Sequence, residues 1–366
     1  MLHRFMLTTV ASLGISSAAM AADLSNASWE EVITQAKAEG EVTWFQWYFE
    51  DRFRETVAVF EKKYGITVVL PDLDGGDTGL NKLLAEAGRD AGDIDVVSVP
   101  GSRAPSIDAA TYLMGPLLPM LPEADQLTDK AEGGDWEQYG IKFWGNQTGI
   151  AYNSARSDVE SLPKTFSELE SWMELNPGAL GFNFENGGSG PSLIHNIARN
   201  ILSIDADTVV AEKPDLTPVF DWFTAREDQY VLTTSNNDSY ARLNDGEFTI
   251  VAVWEDGIAG LIESGEINKD IKVYIPDWGM NGGGNVVAIP ANAPNPAAAL
   301  LFVSWLTSAE TQTQLNVKFG SAPANKNADD KFALIPNVQR ANSTNWGEPL
   351  PSDSVLPAVI ENVFQK

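Results

Sequence analysis

Between residues 28 and 101 the chain alternates helix-period segments with short apolar runs, and that alternation restricts it to a sheet whose strands are joined by crossover helices. SWEEVITQAKAEG (28–40) opens on Ser28 as an N-cap, carries apolar residues at 3/4 spacing through Trp29, Val32, Ile33 and Ala36, and stops at Gly40. EVTWFQW (41–47) reads as a strand. A helix over 52–65 follows, with Phe53, Val57 and Phe60 on one face, then a strand ITVVLPD (66–72), a helix LNKLLAEAGRD (80–90) and a strand DIDVVSVPG (93–101). This spacing predicts an α/β fold with a parallel, doubly wound sheet. In such sheets the carboxyl ends of the strands open onto the ligand crevice. Trp47 and Tyr48 lie just beyond one such end and Ser102 beyond another, so both are candidates for a ligand wall, with Trp44 inside the first strand divided between wall and core.

Other features exclude whole classes of function. The first 21 residues have a basic start at His3 and Arg4, an apolar stretch from Phe5 to Ile15, and small residues ending in Ala19-Met20-Ala21. That is the layout of a cleaved secretory signal, and the apolar stretch is too short to span a bilayer. The expected product is exported, starts at Ala22 and is not embedded in a membrane. The chain has no cysteine. Disulfides, thiolate catalysis, the commonest zinc sites and a lipid-attachment cysteine are thereby excluded, which favours a freely diffusing periplasmic protein. Only His3 and His195 exist, and GGSGPSLIHNIARN around His195 lacks the G-x-S-x-G turn of a serine nucleophile. His195 therefore reads as structural, and no catalytic residue is expected. Net charge is −27, one unit more negative once Arg4 leaves, so nucleic acid and anionic membrane surfaces are excluded as partners. DLDGGD (72–77) lacks the glutamate of a calcium loop, and Tyr139, Tyr152, Tyr230 and Tyr240 are scattered, so no metal and no cofactor are expected.

The residues after Ala21 are too many for one ordinary core and comfortable for two domains. GNQTGIAYN (145–153) and GGGNVVAIP (282–290) read as extended segments that enclose a self-contained α/β stretch. That stretch has helices at 165–175, 191–202, 216–229 and 240–246 and strands at 178–184 and 248–254. Beyond 290, AAALLFVSWL (297–306) is one of the most apolar helical stretches; its Trp305, like Trp222, Trp172 and Trp29 in other helices, reads as packing.

Five stretches carry a resemblance in order and spacing: 40–70, 92–102, 141–153, 246–260 and 285–315, the last of them a strand ending in IPANAPN followed by an apolar SWL-containing helix. The chain resembles the periplasmic solute-binding proteins of ABC importers, in the branch with spermidine/putrescine and thiamine receptors. The resemblance implies a two-lobed, type II-like periplasmic binding protein fold, each lobe a doubly wound sheet, with a hinge of crossing strands and a solute held between the lobes. It places 22–147 in lobe 1, 148–285 in lobe 2, and 286–366 as the lobe 1 return with the C-terminal helices. It also implies a monomer that docks on ABC permease subunits.

With that topology Trp254, Glu255 and Asp256 face the cleft from lobe 2 and Trp44, Trp47 and Tyr48 from lobe 1, with Trp144 in the crossing segment and Trp278 before GMNGGGN. Aromatic faces beside a carboxylate hold an organic cation. The same wall suits a sugar or polyol, and composition leaves both open. ENGGSGPSLIHN (185–196), through Ser189 and the helix start, offers backbone N–H groups to an anion and so admits a zwitterion. An exported hydrolase and a signalling receptor are the other classes weighed; no carboxylate pair has a recognisable catalytic spacing.

Overall fold

The computed structural model describes residues 24–205, 213–335, 337–346 and 350–365; the leader and cleavage site expected from the sequence lie outside them. In the first lobe α1 (Trp29–Glu39), β1 (Glu41–Phe45), α2 (Glu50–Tyr64), β2 (Thr67–Val69), α3 (Thr78–Glu86) and β3 (Val96–Pro100) alternate as the sequence pattern requires. Ser28 and Glu31 form a reciprocal capping box on α1, and Gly40 ends it in the left-handed region. A short α4 (Ala109–Tyr112), a hairpin of β4 (Lys130–Ala131) and β5 (Gly134–Asp135), and β6 (Gly140–Trp144) complete this part.

The chain then crosses to a second lobe: β7 (Thr148–Asn153), α5 (Phe166–Leu175), β8 (Leu180–Asn183), α6 (Ser189–Ile201), α7 (Thr217–Thr224), β9 (Tyr230–Thr233), α8 (Asn236–Asp245), β10 (Ile250–Trp254), α9 (Glu255–Ser264), β11 (Ile271–Tyr274) and β12 (Met280–Asn281). It returns through β13 (Asn285–Ala288), α10 (Pro296–Thr307) and α11 (Ala309–Phe319). Two five-stranded sheets result, ordered β2-β1-β3-β13-β6 and β11-β7-β10-β8-β9. Each is parallel where crossover helices join its strands (β1 with β2 and β3; β8 with β9 and β10). Each is antiparallel where a crossing strand enters: β13 between β3 and β6, β7 between β10 and β11. The molecule is thus a two-lobed α/β fold with mixed sheets, because a strand arriving from the other lobe runs against its neighbours.

One core gathers Trp44, Phe53, Phe60, Phe143, Phe302 and Trp305, the last two on α10, which also covers α1. The other gathers Phe182, Leu193, Ile197, Phe223, Tyr240 and Val251. The assignment of 286–366 to lobe 1 does not hold beyond Ile335. Ile335, Leu350, Val355 and Val359 are buried in the second core. β14 (Ser343–Thr344) pairs with β12, and α12 (Ser352–Val359) packs on α6. The segment is short of regular apolar period, yet its few large apolar side chains are buried against the second core.

Three backbone segments therefore cross between lobes, and glycine lets them touch. Gly283 N donates to Asn146 O (2.6 Å) and Gly282 N to Thr344 O (2.8 Å), while Gly145 bridges Ala322. A Cβ at Gly145 would lie 2.2 Å from Ala322 O, and one at Gly283 2.5 Å from Asn146 O. Gly145→Ala is therefore expected to cost about 1–3 kcal/mol, as overpacking does, read as a lower urea midpoint at unchanged slope. An unaltered midpoint would show that the crossings have room to part.

Candidate functional site

A cavity of about 600 Å³ opens between the lobes, within the usual range for small-molecule sites. Its first-lobe wall begins where β1 stops at Phe45, two residues sooner than the sequence pattern suggests. Gln46 turns back to hydrogen-bond Tyr48 O, and Phe49 takes a left-handed conformation (φ 51°) as α2 begins. The turn throws Trp47, Tyr48 and Phe49 onto the cavity. Trp47 and Tyr48 meet edge to face at 4.9 Å, and the Tyr48 hydroxyl accepts from Asn285 Nδ2 at 2.8 Å. Gly76 lies against the Trp47 indole so closely that a Cβ there would come within 3.1 Å of it.

The second-lobe wall forms in a corresponding way at the end of β10. Trp254 reaches the cavity, its backbone N–H donates to the Tyr240 hydroxyl (3.1 Å), and Gly188 packs on its indole as Gly76 does on Trp47. Asp256, in the first turn of α9, also lines the cavity; it accepts from Trp144 Nε1 (3.3 Å) and Gly257 N (2.8 Å). Burial pushes its carboxyl up to about 6 against those bonds.

Opposite stands Glu132, at the left-handed tip (φ 51°) of the β4–β5 hairpin. It accepts from Ser102 N (3.1 Å) and Ser102 Oγ (3.0 Å). Burial pushes it up to about 7, opposed by the Ser102 bonds and by the charge of nearby Lys142. Arg103 at the rim pairs with Asp77 (3.0 Å), so it brings its own counter-charge. Asn146, Asn236, Asn237 and Asn285 add amides, and Trp346 completes the wall.

Of the ten residues singled out from sequence, Trp47, Tyr48, Ser102, Trp254 and Asp256 line the cavity and five do not. Trp44 is core: it has no exposed surface, donates Nε1–H to Ser98 Oγ (2.9 Å) and packs on Phe53 and Phe302. Trp144 stands one layer behind, against Tyr48. Trp278 belongs to the second core. Glu255, one residue from Asp256, points away from the cavity into a bidentate pair with Arg340 (3.0 and 2.7 Å). Ser189 is buried beneath Asn183 and Asn236, and Asn183 Oδ1 takes the Gly190 N–H (3.2 Å). The helix start expected to receive an anion is therefore occupied by the protein's own amide.

Glu132, Tyr240 and Trp346 escaped the sequence reading as wall residues. Glu132 sits in the turn between two two-residue strands with no apolar period, and Trp346 in the non-periodic NSTNWG. A tryptophan in a polar loop was the one available signal.

Residues 55–342 match the family described as bacterial extracellular solute-binding protein. The chain belongs to that family. Solved structures share the fold of this solute-binding protein at low identity. The spermidine/putrescine ABC transporter substrate-binding protein PotD from Streptococcus pneumoniae, in complex with calcium and HEPES, matches with a TM-score of 0.67 at 12% identity, covering 88% of this chain and 99% of that one. An ABC transporter solute-binding protein from Thermotoga lettingae, bound with α-D-tagatose, gives 0.66 at 16%, covering 89% and 94%. Iron-bound HitA from Pseudomonas aeruginosa gives 0.59 at 20%, covering 87% and 99%. A search of curated proteins finds no match. Among the described residues no group of three or more His, Cys, Asp or Glu side chains could hold a metal ion, and no helix is long and apolar enough to cross a membrane.

Proposed function

We propose that this solute-binding protein captures an amine-containing organic cation between its lobes and hands it to an ABC permease, working in the periplasm after loss of residues 1–21. The observation that carries the reading is a pair of carboxylates, Glu132 from one lobe and Asp256 from the other. Both lie in an aromatic cavity, and neither has a salt-bridge partner among the described residues. Two acids held above their ordinary range by burial are relieved by a positive charge placed between them. Trp47, Tyr48, Trp254 and Trp346 offer ring faces to the same charge. A solute touching both walls favours the closed state and so shifts the lobes' equilibrium. The start of α6 has its own cap, which weighs against the zwitterion. The four amides of the wall favour one second reading, a polyol or sugar.

The test is a thermal-shift series of putrescine, choline, glycerol and glucose on the chain from Ala22, followed by calorimetry of whichever binds. An amine is expected to raise the midpoint; a response to glucose or glycerol alone would overturn the cationic reading. Trp47→Ala and Trp254→Ala are each expected to weaken amine binding by about 2 kcal/mol, roughly thirtyfold, with the fold retained. Unchanged affinity in both would mean that the solute lies elsewhere.

A further inference from the structure

Trp346 faces the cavity from a strap that has joined lobe 2 by Ile335 and lies in neither five-stranded sheet. Its indole is nearly parallel to the Trp254 indole (24°, centroids 6.2 Å apart) and to the His195 imidazole (6°, 6.5 Å). The strap is pinned on both sides of this ring. Before it, Asn281 Nδ2 donates to Asn345 O (2.7 Å); after it, His195 Nε2 meets Leu350 O at 2.7 Å. A carbonyl can only accept, so Nε2 carries the proton and Nδ1 is left as acceptor for the other Asn281 Nδ2 hydrogen (3.0 Å). Asn281 Oδ1 accepts from Ser192 Oγ (3.0 Å) and Asn196 Nδ2 (2.8 Å) on α6.

The Asn281 amide thus makes four bonds with no exposed surface: its oxygen holds α6, and its nitrogen holds the strap and the histidine. A core needing only filled volume would place apolar side chains here, whereas a saturated buried network fixes one geometry.

We infer that Asn281 and His195 are positioning residues that hold the Trp346 indole parallel to Trp254 as part of the solute wall. The inference rests on reading the cavity as the solute site.

The test separates the two jobs of Asn281. Asn281→Asp keeps the oxygen acceptors toward Ser192 and Asn196 but loses the donors toward Asn345 O and His195 Nδ1. In the full chain its near-ultraviolet circular dichroism is compared with Trp346→Phe, which defines the signal of the Trp254–Trp346 stack. Asn281→Asp and His195→Ala are expected to lose that signal to the level of Trp346→Phe while cooperative unfolding is retained. Putrescine affinity should fall with it, by about tenfold or more, and no further when Trp346→Ala is added. A retained stack signal in both variants would overturn the inference, as would full additivity with Trp346→Ala. Should Asn281→Asp not fold, His195→Ala decides alone. The spectroscopic comparison needs no solute, so a chain that binds no amine overturns the cationic reading while the stack signal still judges this one.

Discussion

With Glu132→Gln and Asp256→Asn combined in one chain, amine binding is expected to vanish from the measurable range while the empty protein becomes more stable at pH 8. Each carboxylate is held above its ordinary range chiefly by burial, Glu132 at about 7 and Asp256 at about 6. Deleting one member of a buried charge pair costs a complex about 2–5 kcal/mol, so the double change removes several orders of magnitude of affinity. The stability effect has the opposite sign. A carboxyl whose folded pKa is raised binds its proton more tightly in the native chain than in the unfolded one. Stability therefore falls as pH rises between the free-carboxylate range and about 7, and the penalty is complete above that. The wild-type chain should lose stability from pH 5 to pH 8 through these two groups, and the amide variant should lose less. Amine affinity in the wild type should run the other way, strengthening with pH as the two acids ionise. Calorimetry at pH 5 and pH 8 checks both; amine binding that persists in the double variant would remove these acids from the site.

Arg340→Met should be the most damaging single change to stability. Glu255 is fully buried, and its pKa is pushed up to about 7 by desolvation even though Arg340 contacts both of its oxygens. Removing the guanidinium leaves an unpaired buried charge, a loss of about 3–5 kcal/mol at pH 8. At pH 5 Glu255 takes up a proton, so the loss should shrink. Urea unfolding at the two pH values distinguishes this from simple lost packing, which would cost the same at both. Glu255→Leu added to Arg340→Met should restore much of the stability, since a buried ion pair exchanged for apolar volume is often neutral.

The sequence made the first lobe legible because its signals are local. Ser28 and Gly40 mark the two ends of α1, and the period-3/4 faces of α1 and α2 name their own buried residues. Strand ends then led to Trp47, Tyr48, Ser102, Trp254 and Asp256. What failed was orientation within a turn. Glu255 and Asp256 are adjacent carboxylates at one helix start, and Arg340, 85 residues later, pairs with Glu255 and leaves Asp256 to line the cavity. Trp44 failed for the same reason: alternation puts it on one face of β1, but α2 and α10 decide that this face is the core. Glu132 and Trp346 depend wholly on long-range placement, and no local period marks them.

The position of β13 has a consequence for how the protein is made. β6 joins the first sheet only through β13, so the strand at 140–144 has no neighbour in that sheet until residues 285–288 arrive. Pairings across such separations in sequence form slowly, because loop closure must precede any gain from contact. A chain wired in this order leaves its first sheet incomplete while most of its length is being delivered.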